Sequence, residues 1–145
     1  MVDEGRVARL LRGISDRVGR LAAATPPTQL DPSSLWLDGV KYLFVTAIEG
    51  CVDVAHHIAS SESWQSPDTN ARAIRLLGEH RVIDPALANR VALAVGFRNV
   101  LVHQYAEVDD DVVIAALGSL DDLRDFVTQV STWVLAHSVE AASDQ

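Results

Sequence analysis

The run RNVLVHQY, residues 98–105, sets a permanent cation, an amide, an imidazole and a phenol among valines and a leucine. On a helix turning about 100° per residue, Leu87, Val91, Ala94, Leu101 and Tyr105 form one apolar stripe, with Arg98 in its middle. Burying that guanidinium unpaired costs several kcal/mol, so it must meet a carboxylate, a phosphate or a carbonyl. The adjoining face reads Asn89, Ala92, Gly96, Asn99 and His103, small or polar at each position, and lets a ligand or another chain come close. At position 103 stands a histidine, a residue type with a reference pKa of about 6.5 that can give or take a proton near neutrality. The two groups stand five residues apart, about 140° round a regular helix. They serve one site if the arginine sweeps round, if the last turn loosens, or if two copies of the helix face each other across a two-fold axis. The third arrangement, helped by the first, is the expectation.

A second group lies earlier in the chain. Glu49, Asp53, His56 and His57 share a polar helix side with Tyr42 and Thr46. Carboxylates beside histidines suit metal sites in helical bundles, yet no matching ligands stand on the other helices, and no metal is expected. The simpler expectation has Glu49 or Asp53 meeting Arg98 or another arginine across a helix interface, while His56 and His57 are ordinary helix-end residues. Cys51 falls on an apolar stripe with no activating base and reads as a buried thiol. Trp36, Trp64 and Trp133 are too dispersed for a base-stacking platform. The acidic triplet Asp109 to Asp111 reads as the first turn of a helix.

Helices must position all of these groups. Leu10, Leu11, Ile14, Val18 and Leu21 recur at helical spacing and predict an amphipathic helix over about residues 3–24, stopped by Thr25-Pro26-Pro27. Asp31-Pro32 opens a long second helix with the stripe Leu37, Val40, Phe44, Ile48, Cys51 and Ala55, ending near Ser60-Ser61. A short third helix is capped by Asp68 or Thr69 and closed by Gly78. The fourth runs from Pro85 to about Gln104, and a fifth from Asp109 through Val134. No strict apolar–polar alternation competes with these periods. The reading is an all-α, up-and-down bundle of about five helices. It forms one domain over residues 1–145, with its core in about 5–135 and a polar tail over 138–145.

The chain has 145 residues, 48% of them hydrophobic, and a net charge of −8. An acidic average argues against sequence-independent nucleic-acid binding. The charge is polarised, however: residues 1–24 carry five arginines against three acids, while residues 105–145 carry nine acids against Arg124 alone. Solvated helix faces account for most of these charges. One cysteine, no membrane-length apolar run and charged residues directly after Met1 point to a cytoplasmic protein.

The run Arg98-Asn99-Val100-Leu101-Val102-His103-Gln104-Tyr105 resembles the Arg-x4-His-x-Tyr motif of HEPN-domain proteins, and specifically of HepT-like toxins from bacterial toxin–antitoxin pairs. FVTAIEGCVDVAHHI in the second helix, GEHRVIDPALANRV leading into the fourth and AEVDDDVV leading out of it are similar in the same order. The resemblance covers about residues 5–135. It implies a homodimeric, metal-independent endoribonuclease without cofactors, acting on an RNA such as tRNA or mRNA. Arg98 and His103 are then the catalytic pair, with Asn99, Glu49 and Asp53 in support. It also implies a nucleotidyltransferase antitoxin that adds AMP to Tyr105 and so repels RNA from the cleft. Two other readings stay open: a non-catalytic helical interaction module, and a nucleotide-binding module using the same cleft.

Overall fold

A computed structural model describes residues 1–25, 35–104 and 108–143. The first helix, α1, spans Glu4–Ala22. The carboxylate of its N-cap, Asp3, accepts the Arg6 backbone N–H at 3.0 Å, meeting one of the donors that a helix start leaves free. Val7, Leu11, Ile14, Val18 and Leu21 form its buried face.

The second helix, α2, spans Leu35–Ser61 and packs against every other helix. Its predicted stripe is buried, and so are Leu43, Ala47, Val52, Val54 and Ile58. The apolar cover therefore wraps most of α2 and leaves one polar strip: Tyr42, Thr46, Glu49, Asp53 and the pair His56–His57. The Asp31-Pro32 start expected for this helix lies outside the described residues. Where α1 crosses α2, a Cβ on Gly50 would come within 2.7 Å of the Ile14 Cγ1, so this glycine sets the closeness of the two helices.

The third helix, α3, spans Asn70–Glu79, with the Thr69 hydroxyl accepting the Arg72 N–H at 3.1 Å. Gly78 does not close it as a turn residue. Gly78 is buried, and a Cβ there would lie 2.6 Å from the Ala88 Cβ and 3.2 Å from the Pro85 Cα. It is the contact point with α4, Pro85–His103. The left-handed backbone of that turn is taken by Arg81, at φ 60°. Trp64 and His80 stack, ring centroids 3.8 Å apart, and close the α2–α3 loop on the end of α3.

The expected fifth helix is two helices, α5 (Asp110–Ala116) and α6 (Asp121–Ser143). The N–H groups of Leu117, Gly118 and Ser119 donate to carbonyls three residues back, at 3.0–3.1 Å, a tightened last turn. Gly118 is a weak helix former, and Asp121 and Asp122 favour a fresh N-terminus. The interruption lets Val113 of α5, Leu120 of the turn and Leu123, Phe126 and Val130 of α6 all reach one core. Asp109 caps α5, in keeping with a helix start, but Asp110 also forms an ion pair at 3.5 Å with Lys41, which is 5% exposed. Among the described residues no helix is long and apolar enough to cross a membrane.

Candidate active site

Arg98 sits on the side of α4 that faces α2. Phe97, beside it, packs edge-on against Phe44 with ring centroids 5.8 Å apart, and this contact holds the two helices in register. The guanidinium Nη2 donates to Glu49 Oε1 at 2.6 Å. Glu49, rather than Asp53, is therefore the partner of Arg98. Nη1 donates to the Asn99 Oδ1 at 3.1 Å. Asn99 projects about 100° round the helix from Arg98, towards His103. One edge of the guanidinium thus reaches Asn99, the residue one turn before His103. The Arg98 Nε is buried and has no partner among the described residues.

Because a guanidinium only donates, Asn99 must turn its carbonyl oxygen towards it, which leaves the amide NH2 free to donate elsewhere. His103, one turn further on, is exposed at the last residue of α4. Among the described residues no hydrogen bond or ion pair joins Arg98 to His103 within the protomer. Tyr105 lies outside the described residues.

Asp53, one turn beyond Glu49, has its carboxyl pKa raised by desolvation and by the charge on Glu49. The neighbouring histidines are engaged elsewhere: the His56 Nε2 lies 3.0 Å from the Asn70 Oδ1, and the His57 Nε2 accepts the Asp3 N–H at 3.1 Å. That bond ties the start of α1 to α2. Among the described residues no three His, Cys, Asp or Glu side chains converge as a metal site. Cys51 is buried, and desolvation drives its thiol pKa far up. Of the tryptophans, Trp133 lies against His137 and Trp36 is half-buried.

The outward face of α4 carries Asn89, Leu93, Gly96, Val100 and His103, alternating by four and three residues. Leu93 is 70% exposed and Val100 42%. Ala92, expected on this face, is buried instead. Nothing lies within 4 Å of a Cβ built on Gly96. The two apolar positions were not singled out in the sequence, although a signal was there: α4 has apolar residues nearly all round, which a one-sided surface helix does not need.

The sequence profile described as Ribonuclease HepT-like matches residues 13–130. The chain belongs to this family. It is 30% identical over 80 residues to an mRNA nuclease HepT of Shewanella oneidensis, and 30% identical over 88 residues to a tRNA nuclease HepT of Aphanizomenon flos-aquae. These matches take in 54% and 60% of this chain, and span 60% of the length of each relative. The fold is also that of the tri-AMPylated Shewanella oneidensis HEPN toxin solved with its MNT antitoxin. The TM-score is 0.79 at 22% identity, over 91% of this chain and 99% of that one. HepT-like membership places the octet 98–105 inside the matched region.

Proposed function

We propose that this HepT-like chain is a metal-independent endoribonuclease that acts in the cytoplasm as a homodimer, the toxin of a toxin–antitoxin pair. The observation that carries the reading is the Glu49–Arg98–Asn99 relay, which turns a guanidinium and a free amide towards the side of α4 that bears His103. Cleavage by the RNA's own 2′-hydroxyl needs a base for that proton, an acid for the departing 5′-oxygen and a cation for the phosphorane charge. His103 serves the proton transfers and Arg98 the charge, with Asn99 donating to a phosphate oxygen.

One histidine per chain leaves one proton role open. A two-fold pairing through Leu93, Gly96 and Val100 fills it by bringing His103 beside its mate. The relatives named as mRNA and tRNA nucleases support RNA as substrate, and the solved toxin–antitoxin complex supports a nucleotidyltransferase partner. AMP added at Tyr105 would place negative phosphates at the cleft and shut RNA out.

The test is incubation of the purified protein with labelled RNA in EDTA. The expected products end in a 2′,3′-cyclic phosphate and begin with a 5′-hydroxyl. Cleavage that vanishes with EDTA and returns with Mg²⁺ would overturn the mechanism.

A further inference from the structure

Five arginines on α1 play no part in the site described above. Arg6, Arg9, Arg17 and Arg20 fall within about 80° of one another round the helix axis. Their stripe borders the polar strip of α2 and runs about 21 Å along the axis. Arg12 stands on the opposite flank, towards α6. Arg6, Arg9 and Arg20 are exposed and Arg17 is half-buried. Among the described residues none of the four has a carboxylate within ion-pair distance, whereas Arg72, Arg90, Arg98 and Arg124 each do. In a chain of net charge −8, four of the seven arginines without an ion pair among the described residues thus fall along one line.

Arg17 is held in place. Its Nε donates to the Thr46 Oγ1 at 2.8 Å and its Nη1 to the Gly13 carbonyl at 3.0 Å. The Thr46 hydroxyl in turn donates to the Tyr42 carbonyl at 2.9 Å. Gly13 makes the fold-back possible, since a Cβ there would stand 3.1 Å from the Arg17 Nη1. Two of the five guanidinium N–H groups are used, which leaves three to donate.

Between the stripe and α2 lies a trough of about 260 Å³, lined by Arg9, Gly13, Arg17, Thr46, Glu49 and Asp53. Glu49 is the wall that this trough shares with Arg98. The two carboxylates do not cancel the stripe: Arg98 offsets Glu49, which leaves Asp53 of the lining set against four arginines.

Resting on the ribonuclease reading above, we infer that Arg6, Arg9, Arg17 and Arg20 form a phosphate track. It leads an RNA strand along the α1–α2 seam to Arg98. Four guanidinium groups spread over about 21 Å can each meet a phosphate of one strand. Guanidinium groups contact phosphate oxygens in pairs.

The experiment uses a fluorescent 20-nucleotide 2′-O-methyl RNA, which lacks the attacking hydroxyl, titrated with the full chain across a salt series. The triple variant Arg6→Gln/Arg9→Gln/Arg20→Gln spares the Arg17–Thr46 bond, and its folding is read from its melting curve. Its Kd is expected to rise about 20-fold at 0.1 M salt, and the log–log salt slope to fall by about 2, near 0.7 for each lost phosphate contact. The control Arg12→Gln/Arg75→Gln changes neither. The ratio of kcat/KM on a cleavable 20-mer to that on a dinucleotide, too short to reach the stripe, falls by a similar factor. A folded triple variant with the Kd and slope of the original overturns the track. So does one that keeps RNA binding but loses affinity for polyglutamate, which marks a protein-docking face. An original chain that binds RNA through the stripe yet cuts neither substrate upholds the track and removes the ribonuclease reading.

Discussion

The Glu49 carboxylate meets the Arg98 guanidinium at 2.6 Å across the α2–α4 interface, with 42% and 21% of the two side chains exposed. That exposure limits the pair to about 1 kcal/mol of stability, far below a sealed ion pair. Its weight falls on placement. Glu49→Gln keeps an acceptor but removes the charge that fixes the guanidinium and repels phosphate. The expected result is a kcat roughly tenfold lower from misplacement, together with a lower KM from the lost repulsion. A variant with raised KM and unchanged kcat would show that Glu49 does not position Arg98.

The His103 side chain is exposed and makes no hydrogen bond among the described residues, so the folded protomer does not depend on it. His103→Ala should leave melting temperature and mass unchanged while cutting cleavage by about 10²–10⁴-fold, the range for a lost proton-transfer group. The pH profile of kcat/KM on the original chain should be bell-shaped if two copies of His103 share the acid and base roles. A profile rising to a plateau would break that symmetry argument. Loss of folding in the alanine variant would move the motif from chemistry to structure.

Gly96 tests the pairing of subunits. In the protomer nothing stands within 4 Å of its would-be Cβ. Gly96→Ala should therefore stabilise the folded chain by about 0.8–1 kcal/mol through helix propensity alone. Gly96→Leu keeps most of that gain but sets a bulky side chain between Leu93 and Val100, where α4 would approach its mate. Sedimentation should find the leucine variant monomeric and cleavage lost. An unchanged mass would place the dimer contact elsewhere.

How much of this was legible follows from what each signal encodes. The core faces of α1 and α2 were plain because their apolar residues recur at the helical period and nothing interrupts them. The α5–α6 break was hidden for the same reason, since the apolar rhythm runs on from Val113 to Phe126 while only Gly118 and Ser119 mark the interruption. That Arg98 needs a partner could be argued from burial. The choice of Glu49 over Asp53 could not, because it depends on the rotation of α2 set by Gly50 and the Phe44–Phe97 contact. The hydrogen bond from Arg98 to Asn99 depends on side-chain rotamers, and spacing carries no rotamer.

Gly78 looked like a helix stop and is instead a packing position. A methyl group there must displace the Ala88 Cβ and the Pro85 backbone, which belong to a proline-started helix with little freedom to move. Gly78→Ala should destabilise by about 1–3 kcal/mol, the usual cost of overpacking, despite the better helix propensity of alanine. Chemical denaturation measures it. A neutral or stabilising result would mean that α3 and α4 part more easily than their contact suggests.

His57 gives the fold a dependence on pH. Burial, then the charge of Arg6, lowers its pKa from the usual 6.5, and the attraction of Asp3 only partly offsets this. The Asp3 N–H donated to Nε2 also requires that nitrogen to be unprotonated. A histidine with a folded pKa below its unfolded value binds more protons when unfolded, so its contribution is full above about pH 6.5. It drains away as pH falls from there through the lowered folded value. Denaturation midpoints should hold steady from pH 8 to 7 and drop towards pH 5, while in His57→Gln the drop should be smaller. Subtracting the two curves removes the shared titration of Asp53, whose raised pKa acts in the opposite direction and at lower pH. Parallel curves would mean that the imidazole titrates as freely in the folded chain as in the unfolded one, and that the α1 start is not anchored through it.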